Sequence, residues 1–246
     1  MQFDLIEIFR KMSGFQWIVV ASLAAMATAT TAVVLERLWV FWRSRATSRS
    51  IAADAARLLS SGDYERLVAE AERRKGSHLA RLLAAGAATF LAARLRPSAA
   101  VPPAELARRE MARQREVFDA ELRRGMGVIA STGSVAPFVG LLGTVVGIIA
   151  AFEGIATEGS GGLGAVSSGI AEALVVTAFG LFVAIPSVLL FNLLSTQVEK
   201  LTLALDQAAS QLGDHLEAAH DPRIAGGGNG ISVVPAERQG ETLATA

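Results

Sequence analysis

The stretch GIAEALVVTAFGLFVAIP, residues 169–186, is apolar enough to cross a membrane, yet it carries a carboxylate, Glu172, close to its start. The uncharged run around it extends from residue 159 to residue 198, and Glu172 is its single charge. A charge at the centre of a spanning helix costs about 2.5–3.5 kcal/mol on insertion scales. A residue kept at that cost is a functional candidate by default, and it is expected to face protein or water rather than lipid.

Two further uncharged runs predict two more spanning helices. A span needs roughly 20 apolar residues at about 1.5 Å rise each, and all three runs exceed that length. The sequence therefore predicts an all-α membrane protein with three transmembrane helices, at residues 15–36, 128–153 and 166–194. Residues 154–165 are the predicted hairpin between the last two, with a tight link at 153–157 followed by glycines. We expect the first helix to be an uncleaved anchor, because its apolar run is longer than the roughly 7–15 residues of a signal-peptide core.

The basic residues predict the orientation of the chain. Of the 23 Lys and Arg residues, 18 lie in residues 36–127 and none lies in residues 153–164. Lys and Arg near the ends of spans favour the cytoplasmic side. We therefore expect residues 37–127 to be cytoplasmic, residues 1–14 and the hairpin to be periplasmic, and the C-terminus to be cytoplasmic.

The segments outside the spans have helical patterns. From about residue 104 a charged helix runs into the second span without an obvious breaker, so we expect one continuous rod there. Residues 195–220 continue the third span inward as a cytoplasmic helix. Two of the three transmembrane helices are thus predicted to extend into a cytoplasmic helical bundle. Residues 221–246 are rich in glycine and are predicted to form a disordered tail.

Several function classes lack support in the sequence. The chain has no Cys, and its three His residues are scattered, so neither a metal nor a cofactor is expected. A G-x-G-x-x-G pattern at residues 159–164 has no strand before it and reads as a flexible hairpin rather than a nucleotide site. Acidic residues alternate with the arginines, and the formal net charge is zero, so no nucleic-acid partner is expected. No motif of an enzyme is present, and a receptor has little support because the outer loop is too short to build a pocket.

Small residues recur at alternating spacings of four and three along the second span, which places them on one face of that helix, and the third span repeats the theme with small residues and a proline. Such residues let helix backbones approach closely in lipid. A proline at position 137 also removes one backbone donor and releases the carbonyl of Gly133. Tight packing alone would explain both faces, whose members are Gly133, Pro137, Gly140, Thr144, Gly147 and Ala151 in the second span and Gly169, Ala173, Thr177, Gly180, Ala184 and Pro186 in the third.

Packing does not explain Glu172. A carboxyl group that loads and unloads a proton is what a proton path needs, and the hydroxyls of Ser168, Thr177 and Thr144 could help to hold water beside it. On an ideal helix Thr177 lies about 140° around from Glu172, so both face one point only if the helix is distorted or two neighbours are involved. The alternative is a structural hydrogen bond of Glu172 near the outer headgroups.

Two long stretches, GSVAPFVGLLGTVVGIIAAFEGIA and GIAEALVVTAFGLFVAIPSVLLFN, resemble the ExbB/TolQ/MotA proton-channel family. The resemblance covers about residues 131–192 and includes Pro137, the glycine-rich segment around Thr144, the segment GIAEAL, Thr177 and the segment AIP. LERLWVFWR at the end of the first span is also similar. The three-span topology with an outer N-terminus fits the ExbB/TolQ branch.

The resemblance implies a bacterial inner-membrane subunit that forms a homo-oligomeric ring, typically a pentamer, around the single helices of an ExbD/TolR-like partner. It also implies that Thr144, Glu172 and Thr177 line a proton path and that proton flow does work on the envelope through a TonB- or TolA-like protein. A gliding or other motility motor of the same family stays open, as does a membrane scaffold that conducts nothing.

Overall fold

The computed structural model describes residues 13–74, 76–95, 101–158 and 163–220, and all of its regular structure is helical. The predicted all-α membrane fold is confirmed. The first helix and the last two are those long and apolar enough to cross a membrane. The six helices are α1 Gly14–Ser61, α2 Tyr64–Arg73, α3 His78–Arg94, α4 Pro103–Arg123, α5 Met126–Glu158 and α6 Leu163–His220. The predicted outer N-terminal segment up to residue 12 and the predicted disordered tail lie outside the described residues.

The prediction of one continuous helix from about residue 104 into the second span is wrong, because the structure has a break there. Helix α4 ends at Arg123, Arg124 has an extended ψ of 131°, and α5 begins at Met126. Gly125 between them has a φ of 77°, a left-handed conformation that residues with a Cβ rarely adopt. A side chain there would also come within 2.9 Å of Val33 Cγ1 on α1, so the break is built against the first span.

The predicted hairpin at residues 154–165 also differs from the structure. Helix α5 continues to Glu158, and α6 already begins at Leu163, so the tight link expected at 153–157 is helical. Residues 159–162, which hold most of the glycine-rich pattern, lie outside the described residues.

The parts of α1 and α6 outside the predicted spans pack with α2, α3 and α4 around one apolar core. Its large members are fully buried, and α3 and α4 supply most of them. They are Leu67, Leu82, Phe90, Met111, Phe118, Leu212 and Leu216. A second cluster joins α1, α5 and α6 within the membrane and is built of smaller residues around Leu23, Ala136, Val176 and Ala184.

Candidate functional site

The two inner spans, α5 and α6, meet along the small residues that the sequence places on one face of each. A Cβ added to Gly180 would lie 2.7 Å from the carbonyl oxygen of Ala136 and 3.0 Å from Gly140 Cα. A Cβ added to Gly140 would lie 3.1 Å from Thr177 Cα. The two backbones therefore touch at this level, and only glycine leaves room for the contact. We call this contact line between α5 and α6 the seam.

The seam continues toward both membrane surfaces. Toward the helical bundle a Cβ on Gly133 would meet Val188 Cγ2 at 2.7 Å, and toward the other end a Cβ on Gly147 would meet Ala173 Cβ at 2.9 Å. Thr177 donates a hydrogen bond of 2.9 Å to the carbonyl oxygen of Gly140, which ties the two helices together. Because that carbonyl belongs to the opposite helix, the Thr177 hydroxyl spans the seam rather than lining an open space.

Thr144 and the two prolines lie along the same spans. The Thr144 hydroxyl is buried and donates to the carbonyl of Leu141 at 2.7 Å, one turn back on its own helix. Pro137 lies within α5 and Pro186 within α6, and neither ends its helix. One residue after Pro186, the buried Ser187 hydroxyl donates to the carbonyl of Val183 at 2.7 Å.

Glu172 lies half-buried beside a cleft of about 390 Å³ near the N-terminal ends of α1 and α6. The Ser168 hydroxyl, one turn earlier on α6, donates to Glu172 Oε1 at 3.2 Å. The cleft walls come from all three spans and are lined by Ser13, Gln16, Gly147, Ala150, Ala151, Ser168, Gly169 and Glu172. Glu172 therefore lines a cleft between the three spans that it shares with the polar side chains of Ser13, Gln16 and Ser168.

The structure thus brings together some of the predicted site residues and separates others. Ser168 and Glu172 share the cleft, whereas Thr144 and Thr177 are not among its lining residues. Thr177 follows Glu172 by five residues, about 7.5 Å along the axis, and it faces α5. The angular conflict noted from the sequence is real, since the carboxylate and the Thr177 hydroxyl have different surroundings.

Sequence reasoning missed the contribution of the first span. Ser13 and Gln16 form a capping box at the start of α1, in which Ser13 N donates to Gln16 Oε1 at 2.7 Å and Gln16 N donates to Ser13 Oγ at 3.3 Å. The S-x-x-Q pattern before an apolar run is a known signature of a helix start, so this signal was present in the sequence. What it did not reveal is that the capped end lies against Gly147 and the glutamate cleft.

A polar cluster at the end of the spans that adjoins the helical bundle was also missed. Arg37 is buried at the end of the first span, where its Nη1 donates to the backbone carbonyl of Glu121 at 2.8 Å and its Nη2 donates to Glu36 at 2.6 Å. The Glu121 carboxylate accepts from Arg81 at 2.9 Å and 3.3 Å. The Arg81 hydrogen bond holds the pKa of Glu121 below its usual value. These contacts tie the first span to α3 and α4.

Comparisons with known proteins agree with this architecture. The model of the MotA/TolQ/ExbB proton channel family matches residues 80–207. The Tol-Pal system protein TolQ of Pseudomonas aeruginosa is 35% identical over 188 residues, which cover 72% of this chain and 79% of that protein. The biopolymer transport protein ExbB of Salmonella typhimurium is 45% identical over 89 residues, and that of Neisseria gonorrhoeae is 50% identical over 88. These two alignments cover 36% of this chain and only 36% and 40% of the ExbB proteins.

Proposed function

Because the chain belongs to the MotA/TolQ/ExbB proton channel family, we propose that it is a proton-conducting subunit of an inner-membrane motor. In this proposal it works with an ExbD/TolR-like single-span partner and couples the proton motive force to work on the cell envelope. Membership of the family and the three apolar helices support a multi-pass inner-membrane protein of an envelope energy-transduction system.

The observation that supports conduction is the position of Glu172. The carboxylate lies in a spanning helix, beside a polar cleft, with a serine hydroxyl as its hydrogen-bond donor. A proton that crosses a potential of 100 mV releases about 2.3 kcal/mol, so a carboxyl group that takes up and releases protons across the membrane can power movement. Thr144 and Thr177, on the seam toward the cytoplasm, extend the polar groups beyond the cleft.

The hydroxyls of the seam do not complete a path alone, because each described one already donates to a backbone carbonyl. The ring of sister chains implied by the family would enclose Glu172 and supply the remaining walls. A single-span partner with its own ionisable group inside that ring would exchange protons with Glu172. The proposed orientation has the N-terminus and the α5–α6 hairpin in the periplasm and the bundle and C-terminus in the cytoplasm.

Among the branches of the family, the longest alignment favours a Tol-type envelope motor. The match to TolQ covers so much of this chain that it must include cytoplasmic residues between the first two spans. The higher identity to the ExbB proteins over a shorter stretch supports a TonB-linked uptake motor as the second candidate. The gliding motor and the scaffold have no observation in their favour beyond family membership.

The experiment is proton flux in vesicles that contain the full chain co-assembled with its single-span partner. We expect Glu172→Gln to assemble normally and to lose flux, because an amide cannot release a proton. Glu153→Gln is the matched control, since Glu153 lies exposed near the same end of α5, and it should conduct like the wild type. Full flux in Glu172→Gln would show that the protons take another route, whereas full motor activity in Glu172→Gln without proton flux through the assembly would favour the scaffold.

A further inference from the structure

We propose that Gln16 of the first span is a positioning residue of the proton path, and that its side-chain amide holds water against Glu172 at the periplasmic mouth. The inference rests on the proposed function and adds a third helix to a path that sequence reasoning assigned to the last two spans.

The Gln16 side chain is held in one orientation. It is 3% exposed, although a glutamine at the third position of a helix is usually solvated. Its Oε1 accepts from Ser13 N at 2.7 Å, and this bond fixes the plane of the amide. With the oxygen turned back to the helix start, the Nε2 group points the other way.

The Nε2 group lies against the wall of the glutamate cleft. A Cβ built on Gly147 would come within 3.0 Å of Gln16 Nε2 and within 2.9 Å of Ala173 Cβ. Ala173 is the residue after Glu172, so Gly147 is the point where the amide of α1 and the glutamate turn of α6 approach each other. The absence of a side chain at position 147 keeps this approach open.

The chemistry of the cleft leaves a defined task for the amide. Among the described residues that line it, Glu172 is the one ionisable group. The Ser13 hydroxyl accepts from Gln16 N, and the Ser168 hydroxyl donates to Glu172. The cleft, at about 390 Å³, has room for several waters at about 30 Å³ each. The Gln16 Nε2 group is placed to donate to such water and so to order a chain between the periplasm and the carboxylate.

A purely structural role for Gln16 would be the cap alone, and one substitution separates the two roles. Gln16→Glu keeps the acceptor oxygen that caps the helix, because Glu and Gln serve equally at this position of a capping box. It replaces the N–H donors by a second carboxylate beside Glu172. Like charges in one site disfavour joint ionisation, so the flux should acquire a new dependence on pH.

The experiment measures proton flux and melting temperature for the full chain with its partner in vesicles. We expect Gln16→Glu to stay folded and assembled with its partner, with a melting temperature that approaches the wild-type value as the pH falls, and to lose flux about tenfold at pH 7.5, the scale of one hydrogen bond to a charged group. The flux should recover as the pH falls. Gln207→Glu, the same change at an exposed cytoplasmic position, should conduct like the wild type.

A wild-type rate and pH profile in Gln16→Glu would overturn the inference and leave the proposed function intact. No flux above background in the wild-type vesicles would overturn the proposed function itself, and full flux in Glu172→Gln would remove Glu172 from the path. A second measurement needs no flux, because the chain contains no cysteine. Because Gln16 is nearly buried within the cleft, the reagent must be small: the thiol of Gln16→Cys should react with a small charged methanethiosulfonate added from the periplasmic side, whereas that of Ile18→Cys, at similar depth on the outward apolar face, should not. An unreactive thiol at position 16 would contradict a water-filled mouth.

Discussion

The seam between the last two spans and the helical bundle outside the spans are both helix packings, but they are built from opposite kinds of residue. In the seam, a Cβ on Gly180 would strike the carbonyl oxygen of Ala136 at 2.7 Å. In the bundle, a Cβ on Gly86 would strike Met111 Sδ at 2.6 Å. The first obstacle is backbone and the second is the far end of a flexible side chain.

The difference follows from the solvent around each region. In lipid there is no hydrophobic driving force that brings apolar side chains together. The spans therefore associate through close backbone contact and a hydrogen bond such as that of Thr177. Water drives the large apolar residues of the bundle together. The rim of the bundle adds exposed ion pairs, among them Arg108 with Asp214 and Glu217 at 3.0 Å and 2.7 Å. The stability of the bundle should therefore depend on large side chains, and the stability of the seam should depend on residues that have almost none.

The largest expected effect is the loss of a large side chain from the bundle. Phe118 is fully buried and makes an edge-on contact with the His78 ring at 5.3 Å between centroids. Phe118→Ala should lower the free energy of unfolding by about 3–5 kcal/mol. Denaturant titration of the purified chain in detergent, followed by circular dichroism, measures it. Leu203→Ala, at an exposed position on α6, should change stability by less than about 0.5 kcal/mol. Equal losses in both variants would mean that this core does not carry the bundle.

The next effect compares one substitution in the two regions. Gly180→Ala should destabilise the α5–α6 contact by about 1–3 kcal/mol, because two backbones must separate. Gly86→Ala should cost less, because the Met111 thioether can rotate away and methionine adapts to irregular gaps. Melting temperatures of both variants, together with hydrogen exchange in α5 and α6, test the pair. A larger loss in Gly86→Ala would reverse the distinction between the regions.

A smaller effect isolates the hydrogen bond that crosses the seam. Thr177→Val keeps the shape of the side chain and removes the donor to the Gly140 carbonyl. The cost should be about 0.6 kcal/mol and no more than about 1.7 kcal/mol, the range measured between membrane helices. Thr177→Ser retains the hydroxyl and should keep more of the stability than Thr177→Val. If the two variants were equally destabilised, the methyl contact rather than the hydrogen bond would be what matters.

The parts of the fold that follow from local periodicity were predictable. The uncharged runs marked the three spans by their length. The spacing from Gly133 to Ala151 marked the seam, because that spacing repeats with the turns of the helix. Ser168 and Glu172 are four residues apart, so their contact also follows from helical geometry. The break at Gly125 did not follow, because glycine within a helical pattern is common and a positive φ is a property of the backbone alone.

Contacts between distant segments could not be predicted from one sequence. Gln16 and Gly147 are 131 positions apart, and no local rule pairs the start of the first span with the middle of the second. The same holds for Arg37 and the Glu121 carbonyl. The side chains of Gln16 and Arg37 are both buried by residues far away in the chain. Glu172 could be identified from its own charge in an apolar run, whereas the role of Gln16 depends on these distant contacts and was overlooked.

An effect on a similar scale is a pH dependence of the stability of the bundle that arises from His78. Burial is the main cause that lowers the pKa of His78 below its ordinary 6.5; Arg81 and Arg37 lower it further, and Glu121 opposes them. The fold thus favours the neutral ring, whose Nδ1 lies 3.2 Å from the Ser44 hydroxyl. Its stabilising contribution is fully present above pH 6.5 and is lost as the pH falls toward the lowered pKa.

The stability of the wild type should accordingly decline between pH 7.5 and 5.5, by at most about 1.4 kcal/mol per pH unit, the limit for one proton. Glu121 does not contribute in this window, because its lowered pKa lies under the ordinary 4.5. His78→Gln should flatten the decline, whereas His215→Gln, at an exposed position on α6, should leave it unchanged. Denaturant titrations of the three proteins at both pH values measure the slopes. An equal decline in His78→Gln and the wild type would assign the pH dependence to other groups. The protonation of the His78 ring would then have no effect on the stability of the bundle.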